Sequence, residues 1–149
     1  MKKSEQIFIT NQSLRHEGVI LIYLFGSYAS GFAHKESDVD IAVYLDGNIA
    51  PEEYFAKSLS LPKYFSKLYP GRIISITVLN QASALLKHEV LKNGKLLAEL
   101  EEGARATFQI EAVKDYEDTR HLRQIQAFYL SKRISEGRFA KPCPDFRRI

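Results

Sequence analysis

Two aspartates separated by one residue, Asp38 and Asp40, follow a Gly-Ser pair at a distance of ten residues. They open an apolar stretch, residues 38–45, that is typical of a strand, and side chains two apart in a strand project to the same face. Carboxylates on one face repel each other unless a cation lies between them. Mg²⁺ prefers such oxygen ligands and commonly shares its shell with nucleotide phosphates. The spacing therefore predicts a magnesium site that handles a phosphorylated substrate.

The Gly-Ser pair, Gly26 and Ser27, directly follows residues 19–25, a short apolar run that predicts a buried strand. Glycine lets the backbone approach a ligand closely, and the free N–H groups of a helix beginning near Ser27 would bind an anion. Taken alone, a Gly-Ser pair also occurs in ordinary turns, and an Asp pair in solvated loops or helix caps. The complete order of strand, Gly-Ser, Asp-x-Asp and strand favours metal-assisted nucleotidyl transfer.

This pattern resembles the GSx10DxD signature of the polymerase-β-like nucleotidyltransferase superfamily, and the chain is similar to its minimal branch. Residues 74–97 resemble the MNT antitoxins of HEPN/MNT toxin–antitoxin pairs. The resemblance implies a small α/β (α+β) fold, with a mixed sheet flanked by helices and a long C-terminal helix. It implies transfer of AMP from ATP, with Mg²⁺ as cofactor, to a tyrosine of a partner HEPN ribonuclease toxin, which is thereby silenced. Gly26 and Ser27 would hold the triphosphate, and Asp38 and Asp40 would be the catalytic metal ligands.

The third carboxylate of this superfamily comes from a neighbouring strand, and the resemblance places its position at Ser75. Residues 72–79 are rich in β-branched side chains and predict that strand. Strand alternation places four of its residues on one face: Ile73, Ser75, Thr77 and Leu79. The sequence thus predicts the right position for the third ligand, occupied by one neutral hydroxyl.

The loss of a positioned general base typically lowers a rate by about 10²- to 10⁴-fold, so we expect a slow or an inactive site. Three possibilities stay open: an acid such as Glu36 or Glu89 substitutes, the strand register differs from the predicted one, or the protein acts by binding alone. A smaller departure is Ser30, where relatives often carry Arg in a GSxARG run. That substitution removes a potential nucleotide contact.

Three functions are therefore under consideration. The first is an antitoxin-type adenylyltransferase, and the second is a catalytically degenerate antitoxin that neutralises its toxin by forming a stable complex. The third is nucleotidyl transfer to a small-molecule hydroxyl, for which the chain is short to supply a dedicated substrate domain.

The composition predicts one domain spanning residues 1–149, with residues 137–149 as a flexible tail, since the 149 residues are 45% hydrophobic. No apolar run is long enough to span a bilayer, and the amino terminus lacks the apolar stretch of a signal peptide. We therefore expect a cytoplasmic protein with no membrane partner. A net charge of +3 is too slight to predict nucleic-acid binding. Cys143 is the only cysteine, and the histidines lack the spacing of a zinc site.

The remaining segments predict helices around the sheet. A crossover helix, interrupted at Pro62, connects the second and third strands, and residues 84–91 predict a helix that stops at Asn93-Gly94. Residues 95–100 predict a short strand. Residues 104–136 predict a long helix with more apolar positions than one small sheet requires, so it either packs on its own sheet or docks a partner.

Overall fold

The computed structural model describes residues 3–31 and 37–137 of the chain. Six α-helices and four strands alternate along these residues, with two single turns of 3₁₀-helix, Pro51–Glu53 and Leu79–Gln81. In chain order they are α1 (Lys3–His16), β1 (Val19–Phe25), α2 (Ser27–Ser30), β2 (Val39–Leu45), α3 (Tyr54–Ser60), α4 (Pro62–Phe65), β3 (Ile74–Val78), α5 (Ala84–Asn93), β4 (Lys95–Glu99) and α6 (Ala104–Ser135).

The four strands form one mixed sheet in the order β3-β2-β1-β4. β1 runs antiparallel to both β2 and β4, whereas β2 and β3 are parallel. Parallel neighbours need a crossover connection, and α3 and α4 supply it, with Pro62 at the start of α4. The predicted mixed sheet and the interrupted crossover helix are therefore confirmed.

Each face of the sheet has its own apolar core. On one face Ile41 and Val43 pack with Leu14 of α1 and Phe65 of α4. The opposite face, here named the α5–α6 face, includes Tyr23 and Ala42 together with Val90 of α5 and Phe108 of α6. Because strand residues alternate between faces, every second residue of β2 from Ala42 belongs to the α5–α6 face.

Several boundaries differ from the sequence-based prediction. Helix α1 was not predicted, and β2 begins at Val39, so Asp38 lies just before the strand instead of opening it. Leu79 likewise lies beyond β3, in a 3₁₀ turn, although it is buried in the core of the α5–α6 face. Strand β4 and helix α5 occur where they were predicted. Of the predicted tail, only Gly137 belongs to the described residues.

A polar cluster fixes α5 against α6. The Lys87 ammonium lies 3.0 Å from Glu111 Oε1 and 2.8 Å from Asp115 Oδ2, and the Tyr44 hydroxyl donates to Glu111. Burial alone lowers the pKa of Lys87, but its hydrogen bonds to Asp115 and Glu111 more than offset that effect and raise it. The buried ammonium therefore stays charged and holds the first half of α6 on the sheet.

The second half of α6 extends past the core. Only Ala104, Phe108 and Ala112 of this 32-residue helix are buried. By contrast, Leu122 is 56% exposed and Phe128 is 65% exposed. Packing on its own sheet therefore accounts for the first three turns of α6, and the later apolar residues remain uncovered. None of the helices in the described ranges is long and apolar enough to cross a bilayer.

Candidate active site

The site begins at the turn between β1 and α2. Gly26 has φ +73° and ψ −150°, a conformation that only glycine adopts readily. A Cβ at this position would lie 2.5 Å from Oδ2 of Asp40, so glycine is also required for the close approach of that carboxylate. The turn and one aspartate of the predicted pair are thus in direct contact.

Helix α2 is a single turn that begins at Ser27, as predicted. Its N-cap is Gly26, which has no side chain to accept hydrogen bonds from the first turn. The helix ends at Gly31 in a left-handed conformation, and the Ser30 hydroxyl donates to the Ser27 carbonyl oxygen at 3.2 Å. The backbone N–H groups of the first turn are therefore available to an anion, together with the Ser27 hydroxyl.

Asp40 lies on the α5–α6 face, between Phe25 of β1 and Ser75 of β3. Its side chain is partly buried, whereas Asp38, just before the strand, is exposed. Desolvation and the neighbouring charge of Asp38 both raise the pKa of the Asp40 carboxyl. The pair is therefore electrostatically unfavourable in the absence of a ligand, as expected for groups arranged to hold a cation.

Ser75, the residue expected at the third position, lies next to Asp40 in the sheet. Asp40 pairs with Ser75, and Ala42 with Thr77, in the parallel ladder between β2 and β3. Paired residues of neighbouring strands project to the same side of a sheet, so Ser75 lies beside Asp40 on the α5–α6 face. This register excludes the possibility that the strand alignment was misjudged. The exposed Ser75 brings a hydroxyl, not a carboxylate, to that position.

Of the two proposed substitutes for the third carboxylate, Glu89 is the one that lies among the described residues. Within residues 3–31 and 37–137, no group of three or more Asp, Glu, His or Cys side chains could hold a metal ion. Glu89 lies instead on α5, where it accepts a hydrogen bond from the Asn93 amide. Glu36 falls outside the described residues. Glu89 is thus not a third ligand in this arrangement.

Glu89 lines a cleft between α2 and α5. The cleft has a volume of about 440 Å³, and the described residues that line it are Phe25, Gly26, Ser30, Leu86, Glu89 and Asn93. Leu86 and Asn93 were not predicted as site residues. Together with Glu89 they are spaced three and four residues apart, as expected for one face of a helix, and this spacing could have been recognised in the sequence. The sequence did not indicate, however, which other element that face would contact.

Asp38, Asp40 and Ser75 together offer two carboxylates and one hydroxyl on neighbouring strands. Mg²⁺ is typically bound by one or two carboxylates and completes its shell with water and substrate phosphates. The set therefore fits one Mg²⁺ that is shared with a nucleotide, although it lacks the ligands for an all-protein cage.

A family model described as polymerase beta, nucleotidyltransferase, matches residues 7–103. The chain belongs to this nucleotidyltransferase family. The match begins in α1 and continues past β4, so it includes the Gly26 turn, both aspartates and the Ser75 strand. Enzymes of this family generally use a divalent metal such as Mg²⁺, which agrees with the donor set described above.

One curated protein and one chain of a solved structure are similar to this chain. Protein adenylyltransferase MntA of Shewanella oneidensis is 33% identical over 102 residues, which are 68% of this chain and 67% of that protein. A chain from a crystal structure of a toxin–antitoxin with AMP-PNP is 26% identical, with a TM-score of 0.65, and the match covers 87% of this chain and 99% of that one. The predicted polymerase-β-like fold and the resemblance to MNT proteins are thus confirmed.

A third match extends the agreement in fold. It is to a chain in the complex of a tri-AMPylated Shewanella oneidensis HEPN toxin with its MNT antitoxin, with a TM-score of 0.57. The match covers 84% of this chain and 98% of that chain. At 21% identity it supports the fold alone.

Proposed function

We propose that this protein is an antitoxin-type nucleotidyltransferase, which transfers AMP from ATP to a tyrosine of a partner HEPN toxin and so neutralises it. The observation that carries the proposal is the contact of Gly26 with Asp40, because it joins a phosphate-binding turn to a cation-binding carboxylate. The relative named protein adenylyltransferase and the related toxin–antitoxin chain with AMP-PNP support this choice of donor and partner.

In the proposed reaction the tyrosine hydroxyl attacks the α-phosphorus of ATP in line with the leaving group. The new bond joins the tyrosine oxygen to phosphorus, the bond between the α-phosphorus and the bridging oxygen breaks, and pyrophosphate leaves. The backbone of the turn at Gly26 and Ser27 would bind the polyphosphate, and Asp38 and Asp40 would hold Mg²⁺. A divalent cation held there would supply positive charge to offset the negative charge of the phosphates.

The tyrosine proton has no carboxylate acceptor at position 75. A neutral serine hydroxyl is a poor base, so the proton passes to water in the proposed reaction. We therefore expect transfer to be slower by about 10²- to 10⁴-fold than with a positioned base.

The second candidate function is neutralisation by binding alone, and two observations favour it. Ser75 weakens the catalytic site, and the second half of α6 offers a binding surface. Between Thr119 and Ser135 this helix has four cationic residues, Arg120, Arg123, Lys132 and Arg133, and no acidic one. A partner with an apolar centre and acidic edges would complement this surface. Both candidate functions use it for complex formation.

The deciding experiment combines transfer and binding. The purified protein is incubated with Mg²⁺, α-labelled ATP and a HEPN toxin, and the toxin is examined by intact mass. We expect wild type to add AMP, the double variant Asp38→Ala with Asp40→Ala to add none, and Glu102→Ala, an exposed acid distant in sequence, to behave as wild type. Unchanged labelling by the double variant would refute the proposed catalytic residues. Protection of cells by that variant, equal to protection by wild type, would establish the binding function instead.

A further inference from the structure

The cleft between α2 and α5 borders the phosphate-binding turn but is chemically different from it. Gly26 belongs to both, since it approaches Asp40 and also lines the cleft. Beyond Gly26 the cleft wall is formed by Phe25 and Ser30 on one side and by α5 on the other. Its volume of about 440 Å³ lies within the range of ligand pockets in proteins. A ligand bound at the turn can therefore extend into this cleft.

The charge of the cleft indicates which part of a nucleotide it accepts. Among the described residues that line the cleft there is no Lys, Arg or His, and Glu89 is the one ionisable side chain of that set. A carboxylate repels phosphate, so the polyphosphate is directed to the other side of Gly26, where Mg²⁺ would lie with the aspartates. Phe25 and Leu86 contribute apolar surface that an uncharged ring system can cover. The cleft thus suits the uncharged end of the nucleotide.

The polar groups of the cleft are already held in place. The Asn93 amide donates one hydrogen bond to Oε1 of Glu89, which leaves Oε2 of Glu89 as an acceptor and the second amide hydrogen of Asn93 as a donor. Ser30 donates its hydroxyl hydrogen to the Ser27 carbonyl, which leaves the Ser30 hydroxyl oxygen as an acceptor. Preorganised donors and acceptors beside an apolar wall are typical of specific small-molecule sites.

We infer that this cleft binds the nucleoside of the triphosphate, with Glu89 accepting a hydrogen bond from a ribose hydroxyl or from a base N–H group, and Asn93 orienting Glu89. This inference rests on the proposed use of a nucleoside triphosphate, and it assigns the substrate specificity of that site to α5. It requires no metal at Glu89 and no role for Glu89 in the chemical step.

Binding measurements test the inference separately from transfer. Calorimetric titrations with AMP-PNP and Mg²⁺ compare wild type with Glu89→Ala, Asn93→Ala and the control Glu102→Ala, and each protein is also titrated with tripolyphosphate and with adenosine. A hydrogen bond to a charged group predicts a loss of about tenfold or more in AMP-PNP affinity, relative to tripolyphosphate affinity, for Glu89→Ala. Asn93→Ala should lose less, and the control should lose nothing. Adenosine should bind wild type weakly and Glu89→Ala not measurably.

Equal ratios of AMP-PNP to tripolyphosphate affinity in wild type and Glu89→Ala would overturn the inference, whether or not transfer occurs. If instead the ratio of AMP-PNP to tripolyphosphate affinity falls in Glu89→Ala but the wild-type protein modifies no toxin, the nucleoside cleft is supported and the proposed function is refuted. The analogue 2′-deoxy-ATP separates the two sources of the hydrogen bond. If Glu89 binds the ribose 2′-hydroxyl, the effect of Glu89→Ala disappears with this analogue, and if it binds the base or the 3′-hydroxyl, the effect persists. Thermal unfolding of each variant confirms that it is folded.

Discussion

Replacement of Ser75 by aspartate is the most informative single change in this site. Ser75 is exposed on β3 and paired in register with Asp40, so an aspartate there adds a carboxylate on the same face without entering the core. The new side chain gains the two capacities that serine lacks, a charged metal ligand and a proton acceptor. We therefore expect Ser75→Asp to accelerate AMP transfer.

The magnitude follows from the role of a general base. A factor of about 10²- to 10⁴-fold corresponds to about 3–5 kcal/mol of activation free energy. The same change has a cost in stability without Mg²⁺, because like charges on paired strand positions destabilise by about 0.2–1 kcal/mol. The pKa of Asp40 is already raised by burial and by Asp38, so a third carboxylate adds to an existing repulsion. The variant should therefore melt a few degrees lower in EDTA and be stabilised more than wild type by Mg²⁺ with AMP-PNP.

Single-turnover transfer measures the chemical step directly, with excess enzyme, saturating Mg²⁺ and ATP, and the toxin as acceptor. Ser75→Asn is the matched control, since asparagine has nearly the shape of aspartate but no charge. We expect the asparagine variant to remain near the wild-type rate. Equal rates for the aspartate and asparagine variants would refute the reasoning that position 75 lacks a carboxylate function.

Two further predictions concern the turn and the aspartate that it contacts. Gly26→Ala should lower the free energy of unfolding by more than the 1–3 kcal/mol typical of a strained backbone conformation, and should abolish transfer, because its Cβ would lie 2.5 Å from Asp40 Oδ2. Gly31→Ala is the control, because Gly31 also has a positive φ, +79°, but no described atom lies within 4 Å of the added Cβ. Equal free energies of unfolding in denaturant for the two variants would contradict the close-contact argument. Asp40→Asn should abolish transfer yet raise the melting temperature at pH 7, since the folded protein holds the Asp40 pKa above its unfolded value and ionisation therefore destabilises the fold. This increase in melting temperature should become smaller as the pH falls through the raised pKa of Asp40, and it should vanish below the pKa of Asp40 in the unfolded chain. A variant that is less stable than wild type at pH 7 would contradict the prediction.

The elements that hold the aspartates were predictable because their signals are local. Residues 19–25 and 38–45 are largely apolar runs, and they predicted the two strands. The family resemblance placed the third position at Ser75, and strand parity put Ser75 on one face with Ile73, Thr77 and Leu79. Helix α1 escaped prediction because its sequence has Ile9 and Thr10, β-branched residues with modest helix propensity, and Asn11 directly after them. Its helical state depends on tertiary packing, of which the burial of Leu14 is one contact.

The nucleoside cleft was not predictable, because its walls come from segments about 60 residues apart in the chain. Ser30 and Glu89 belong to different helices, and only the arrangement of α2 and α5 at the end of β1 brings them to one cavity. Parity and periodicity describe which face of an element a residue occupies, but not which second element that face meets. The sequence therefore suggested Glu89 as a replacement metal ligand, whereas its place on the cleft wall supports a role in nucleoside recognition.

The energetics of the turn also bear on the choice between transfer and binding alone. A protein that neutralises its partner only by binding through α6 would need neither a turn residue in a glycine-only conformation nor two adjacent carboxylates. Burial and the charge of Asp38 make the ionised Asp40 carboxylate unfavourable in the folded chain, and the three atoms nearest to a Cβ added at Gly26 all belong to Asp40. Groups that lower the stability of the fold, and whose cost a bound cation and phosphate would offset, are typical of ligand-binding sites. The loss of a carboxylate at Ser75 lowers the expected rate, but the glycine-only turn and the raised pKa of Asp40 favour a protein that still binds Mg²⁺ and nucleotide.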